Sequence, residues 1–234
     1  HSSFRKKLDK DFDARNDKYS TAATDNLVEI LIDSNLNKSN LNLERLHGWN
    51  NCLFEHTQYS KLNKIDIAKF RIHSDMEVVS GAIGHEKVHY KAIPVEKIYE
   101  DIENFLKYCN ESSENIYIKA AIVHIWFVII HPYDDGNGRI ARAITDYILS
   151  KNSSNTEFKL YSISTAINKD RKAYYDILDK TTNLFLNKDF DLTSWLIWHL
   201  NILNNAMKQS LINIEYFIQK TKFWDKHRSK ALNE

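Results

Sequence analysis

Chain punctuation constrains this sequence more than any other feature. Its 234 residues include only 5 glycines and 2 prolines. Two of those glycines and one proline fall in the single stretch Pro132–Gly138, inside His131-Pro132-Tyr133-Asp134-Asp135-Gly136-Asn137-Gly138-Arg139-Ile140-Ala141-Arg142. A chain with so few Gly and Pro has few obligatory turns, so concentrating them here marks a loop whose backbone shape matters.

The flanks of that loop read as helices. From Ile116 to His131, the residues Ile122, Ile125, Trp126 and Ile129 follow helical spacing, and Ala120, Ala121, Val123, Phe127, Val128 and Ile130 fill the other faces. A helix apolar nearly all round belongs at a domain centre. Pro132 stops it by removing a donor and restricting the residue before it. A second helix starts at Gly138 or Arg139, with Ile140, Ala143, Ile144, Tyr147 and Ile148 as its apolar stripe. Helix, Gly-rich loop and helix N-terminus form a ready anion site, because the first turn has unpaired N–H groups and a partial positive charge.

The residues in the loop suit phosphoryl-centre chemistry. His131 at a helix exit fits a general base, since imidazole titrates near pH ~6.5. Gly136 and Gly138 allow close backbone approach to an anion. Arg139 and Arg142, three apart, can clamp a polyphosphate. Asp135 is a hard oxygen ligand for Mg²⁺, which proteins hold with one carboxylate plus substrate phosphates. The Asn137 amide can donate to a phosphate oxygen. Taken singly, each residue also has a bland reading: His131 as a helix cap, Arg142 paired to Asp146, Asp134 and Asp135 as turn formers. The joint occurrence favours the chemical reading. The loop is not a Walker A motif, because no Gly-Lys-Ser/Thr follows and it joins two helices.

The stretch resembles the signature of the Fic family, His-Pro-Phe-x-Asp/Glu-Gly-Asn-Gly-Arg-x-x-Arg, with Tyr133 at the usual Phe position. Val78–Gly84 through Val88-His89-Tyr90 resembles that family's flap hairpin, and Ile167–Tyr175 resembles its segment closing over the nucleotide base. The resemblance covers roughly residues 27–205. It implies a mainly α Fic-type helical bundle with one β-hairpin flap, and transfer of AMP from ATP to a Ser, Thr or Tyr hydroxyl of a target protein. On that basis His131 is the base, and Asp135 holds Mg²⁺. Gly136, Asn137 and Gly138 cradle the α-phosphate, Arg139 and Arg142 meet the outer phosphates, and Tyr174 and Tyr175 border the adenine. The flap at Glu86–Tyr90 would dock the target segment. Alternatives are transfer of another nucleoside monophosphate or of phosphocholine, and a non-catalytic nucleotide-binding interaction module.

Composition sets outer limits. Net charge is +1, so no global field recruits nucleic acid or acidic membrane. Hydrophobic residues are 43% of the chain, enough for a real core. Cys52 and Cys109 suggest reduced thiols and a cytoplasmic setting. The helix before His131 is too short and carries Lys119 and His124, so no membrane span is expected. His89, His124 and His199 match no zinc spacing. Expected helices elsewhere are Asn26–Ile32, Leu43–Phe54, Val95–Tyr108, Asp170–Leu186 and Leu192–Lys220, with a hairpin pairing Met76–Val79 and Lys87–Tyr90. The expected division is a lead at 1–25, a Fic domain at 26–205 and a helical extension at 206–234 whose aromatic helix is core or a face for a homodimer. In the family, an inhibitory helix carries Ser/Thr-x-x-x-Glu-Gly/Asn. Only Ser153–Glu157 fits the spacing, and Phe158 breaks the pattern. Together with the start at His1, near a segment Ser2–Leu8 that follows such a helix in relatives, this implies a fragment lacking it, with Arg142 free and self-modification expected.

Overall fold

Helices wrap a nearly all-apolar central helix. The computed structural model describes residues 22–55, 65–73, 76–80, 87–151, 159–183 and 187–228. In chain order these form α1 (Ala22–Leu36), α2 (Leu43–Phe54), β1 (Glu77–Ser80), β2 (Lys87–Lys91), a 3-10 turn (Val95–Lys97) leading into α3 (Ile98–Glu111), α4 (Ile116–Ile130), α5 (Asn137–Ser150), α6 (Ile163–Lys169), α7 (Arg171–Thr182) and α8 (Thr193–His227).

α4 is the axis. Asn115 caps its start by accepting from the Tyr117 N–H. Ala120, Ala121, Val123, Ile125, Phe127 and Ile130 are all buried. α5 packs along α4, and α3 and α8 cover other sides of it. Trp195 of α8 is fully buried, and its indole N–H donates to the Ala121 carbonyl at 2.8 Å, giving the ring's one polar atom a partner. α1 lies on α2 and α5. The α1–α2 contact is fixed by Asp33, whose carboxylate takes Arg45 Nε at 2.7 Å and Trp49 Nε1 at 2.8 Å.

β1 and β2 pair antiparallel, Val78 facing Tyr90 and Ser80 facing Lys87, with an irregularity between Val78 and Val79. The Ala92 N–H donates to the Met76 carbonyl at 2.9 Å and closes the base of the pair. The expected turn through Gly81 and Gly84, with Glu86, lies outside the described residues. β2 packs on α7.

Several expected boundaries shift. α2 has the expected limits. α1 starts four residues earlier and ends four later than the apolar pattern implied, and in its last turn Ser34 and Asn35 donate to the Leu31 carbonyl within the helix. The helix after Pro94 opens as a 3-10 turn. α6 is a separate short helix capped by Ser162, whose hydroxyl accepts from the Thr165 N–H. Asp170 then caps α7 by accepting from the Ala173 N–H. α8 continues to His227, seven residues past the expected end. Its buried residues stop at Ala206, and Leu211, Ile212, Tyr216, Phe217, Phe223 and Trp224 are exposed. Ser2–Leu8 and Ser153–Glu157 lie outside the described residues. Among the described residues no helix is long and apolar enough to cross a membrane.

Candidate active site

His131 ends α4 in a left-handed conformation, φ 47° and ψ 57°, with its N–H on the Phe127 carbonyl. A non-glycine residue there needs support from its surroundings. The support comes from Arg71, which is 2% exposed and donates from Nε to the His131 carbonyl at 2.8 Å. The His131 ring is half-buried, and its Nδ1 lies 3.2 Å from the Val128 carbonyl. A carbonyl only accepts, so Nδ1 carries the proton and Nε2 keeps its lone pair in the neutral ring. Burial pushes the imidazole down to about 4, against an opposing pull from the Val128 hydrogen bond. The histidine is thus both the helix cap of the bland reading and a neutral base with a fixed tautomer.

The turn that follows is braced from α2. Gly136 has φ 88°, and a Cβ there would sit 2.9 Å from Leu53 Cδ1. Positive φ and this close approach together require glycine. Asn50, fully buried, donates from Nδ2 to the Asp135 carbonyl at 3.2 Å and accepts the Ala68 N–H at 2.8 Å. Asp134 accepts the Asp66 N–H at 3.1 Å.

Asn137 corrects an expectation. Its amide donates to the Tyr133 carbonyl at 2.7 Å, and its Oδ1 accepts the Tyr133 N–H at 3.0 Å. It is 2% exposed. The side chain therefore clasps the loop shut instead of pointing at a ligand. What it can offer an anion is its backbone N–H, at the first turn of α5, where helix geometry leaves N–H groups without intrahelical partners. Tyr133 is fully buried, and its hydroxyl lies 3.0 Å from His47 Nδ1.

The arginines separate in role. Arg139 is partly exposed, lies 3.6 Å from Asp135 and stacks over Phe54 at 4.9 Å. Arg142 has no carboxylate partner among the described residues. The alternative of an Arg142–Asp146 pair is not realised, because Asp146 pairs with Lys159 at 2.6 Å. Burial lowers Arg142's affinity for its proton, with the Tyr174 and Tyr175 side chains opposing, but a guanidinium stays charged throughout the physiological range.

Two cavities meet here. The larger, about 570 Å³, runs from Asp135, Gly136, Gly138, Arg139 and Arg142 across to Asn168, Arg171, Tyr174 and Tyr175. Leu27, Ile30 and Leu31 of α1 form part of its wall. The smaller, about 290 Å³, has His131 on its wall and shares Asp135, Gly136, Gly138, Arg142, Tyr174 and Tyr175 with the first. All nine expected site residues therefore converge, Asn137 and His131 on the smaller cavity only. Tyr174 is mostly buried: its hydroxyl donates to His124 Nε2 at 3.2 Å, while His124 Nδ1 meets Thr145 Oγ1 at 3.1 Å. Thr145 gives its own hydrogen to the Ala141 carbonyl at 2.8 Å, which orders the whole chain of donors. Tyr174 therefore presents a ring wall, not a hydroxyl.

Arg71 and Asn50 were not singled out in the sequence. Both act on backbone atoms tens of residues away, and no local pattern marks them. His124 and His199 lie with ring centroids 5.5 Å apart, yet no group of three or more metal-ligating side chains occurs among the described residues. The His89 side chain lies outside them.

A central helix ending in a left-handed histidine, followed by a glycine turn and two arginines on the next helix, has the geometry that suits an anion at a helix terminus. Residues 40–149 match the model of the Fic/DOC family. A 58-residue stretch is 38% identical to a probable protein adenylyltransferase of Aquifex aeolicus, covering 25% of this chain and 18% of that protein. The fold is similar to a Fic family protein from Desulfovibrio desulfuricans (TM-score 0.61, 19% identity, 80% of this chain and 52% of that one). It is also similar to a Fic domain containing signaling protein from Bacteroides thetaiotaomicron (TM-score 0.59, 18% identity, 82% and 68%). The chain thus spans about half the length of the first of these structures and matches a smaller part of the curated relative.

Proposed function

We propose that this chain is a protein adenylyltransferase that moves AMP from ATP onto a Ser, Thr or Tyr hydroxyl of a target protein. The observation that carries the reading is the shared wall: His131 with a tautomer-fixed Nε2, the Gly136–Gly138 turn, Asp135 and Arg142 all border one cavity. The match of residues 40–149 to the Fic/DOC model and the partial likeness to a probable protein adenylyltransferase support it.

In this reading His131 Nε2 takes the target hydroxyl's proton. The oxygen attacks the α-phosphorus, the bond from that phosphorus to the oxygen bridging the β-phosphate breaks, and pyrophosphate leaves. The N–H groups of the first turn of α5 face the charge that develops on the α-phosphate. Arg139 and Arg142 hold the leaving phosphates. Tyr174 and Tyr175 wall the base. The strand pair at Glu86–Tyr90 offers backbone for a target segment to add to, though Glu86 itself lies outside the described residues.

The residues fit a divalent cation. Asp135 presents one partly exposed carboxylate where the two cavities meet, contacted among the described residues by Arg139 and the Gly136 N–H. It would hold Mg²⁺ together with phosphate oxygens, where the ion neutralises phosphate charge. Releasing Arg139 from Asp135 frees that guanidinium for the phosphates.

The test is incubation with α-³²P-ATP and Mg²⁺, alone and with cell lysate, comparing the parent with His131→Ala. Labelled protein in the parent, including self-modification, and none in the variant is the expected result. Mass spectrometry finding no AMP adduct while nucleotide binding is intact would defeat the reading. Competition by unlabelled UTP, GTP or CDP-choline as strong as by ATP would move the donor to another class.

A further inference from the structure

Arg71 makes a set of contacts that helix capping alone does not require. The guanidinium is buried, 2% exposed. Nε donates to the His131 carbonyl at 2.8 Å, and Nη2 lies 3.5 Å from the Ile130 carbonyl. Those are the last carbonyls of α4, which lack helical donors. The other arms reach elsewhere: Nη1 to the His73 carbonyl at 2.7 Å and Nη2 to the Ile93 carbonyl. His73 is four residues before β1 and Ile93 two after β2, on either side of the Met76–Ala92 hydrogen bond that closes the strand pair. Arg71's own N–H donates to the Pro132 carbonyl at 2.9 Å. One planar fork therefore joins both feet of the β-hairpin to the backbone of the residue that carries the imidazole.

We propose that Arg71 is a positioning residue that couples the hairpin to His131, so that the docked target and the base are held in register by one buried guanidinium. The proposal rests on the adenylyltransferase reading for its consequence, but the coupling itself does not. A rigid fork suits this task and an ammonium does not, because five fixed donors can satisfy carbonyls on three separate segments at once. His131 needs such a hold, since its left-handed backbone is otherwise unfavourable. Shifting a foot of the hairpin would drag the His73 or Ile93 carbonyl, and through the fork the His131 carbonyl. A displacement of about 1 Å at a reacting group costs on the order of 100-fold in rate.

The test uses Arg71→Lys and Arg71→Met in the full chain, at a temperature where each is folded. ATP binding with Mg²⁺ is measured at equilibrium, transfer is measured at saturating ATP, and amide hydrogen exchange is followed at His131 and Tyr133 and at the two strands. The expected result is ATP affinity within about threefold of the parent, with transfer slowed on the order of tenfold or more in Arg71→Met and by an intermediate factor in Arg71→Lys. Exchange rises together at the strands and at residues 131–133. Exchange rising at one place only, or transfer at the parental rate in either folded variant, overturns the proposal. If Arg71→Met does not fold, Arg71→Lys decides by the same criteria. A parent that binds ATP and transfers nothing removes the adenylyltransferase reading, and the exchange measurement then decides the coupling alone.

Discussion

His131 donates its Nδ1–H to the Val128 carbonyl at 3.2 Å, one turn back along the same helix, and this decides which nitrogen can act as a base. The ring is neutral at pH 7, because burial holds it down to about 4. An ordinary imidazole would be half protonated near pH ~6.5. The expected NMR titration therefore shows His131 ring shifts unchanged between pH 8 and 6 in the nucleotide-free protein, and a proton on Nδ1. A midpoint near 6.5 would contradict the geometry.

Gly136→Ala is expected to damage the site through the backbone. The residue sits at φ 88°, and the new Cβ would meet Leu53 Cδ1 at 2.9 Å and Phe54 Cε2 at 3.1 Å. Strain of this kind costs on the order of 1–3 kcal/mol. Thermal unfolding should move down and ATP affinity should fall. Adding Leu53→Ala removes the closest contact but leaves the Phe54 contact and the φ, so the double variant should remain weaker than Leu53→Ala alone. Equal stability of those two would show that the turn tolerates a side chain.

Acid should destabilise the fold through its buried histidines. His131 and His199 are lowered to about 4 by burial, and His124 is lowered well below its usual value by burial and by the charges of His199 and Arg142. As pH falls below about 6.5, the unfolded chain takes up protons that the folded chain refuses. Their contribution is fully present above that pH and is lost as pH falls toward 4. His199 has no hydrogen-bond partner on either ring nitrogen among the described residues. His199→Leu should therefore flatten the acid limb of a Tm-versus-pH curve without lowering Tm at pH 7 by more than a few degrees. An unchanged acid limb would shift the cause to other groups.

The helices that surround the loop were legible because period and punctuation are local. α4 and α5 follow from apolar spacing around Pro132 and two glycines, and α2 has the limits its sequence implies. That the candidate residues lie together was legible for the same reason: histidine, carboxylate and arginines sit on one turn and the start of one helix. What the sequence hid is long range. Arg71 reaches carbonyls near 93 and 131, and Asn50 reaches the Asp135 backbone 85 residues away. Neither has a periodic or capping signature. The Asn137 amide was misread because a short polar side chain can turn inward to its own loop as readily as outward, and only the Tyr133 backbone decides. α6 was hidden because seven residues carry too little periodicity to stand apart from α7.

Tyr133→Phe separates packing from chemistry at the one position where the loop departs from the family signature. The side chain is fully buried, and its hydroxyl lies 3.0 Å from His47 Nδ1. Burial raises the phenol's hold on its proton and lowers the imidazole's, so both partners of this bond are held neutral. Phenylalanine keeps the ring among His47, Phe70 and Phe127 but removes the bond to His47 Nδ1. The loss of such a bond costs roughly 0.5–1.5 kcal/mol. The expected result is a Tm lower by a few degrees, with ATP affinity and AMP transfer within about twofold of the parent, since the Tyr133 backbone still clasps Asn137. His47→Leu should give a similar drop in Tm, and the double variant should lose less than the sum, because both changes remove one bond. A transfer rate in Tyr133→Phe as low as in His131→Ala would place the hydroxyl in the chemistry and make the substitution functional instead of structural.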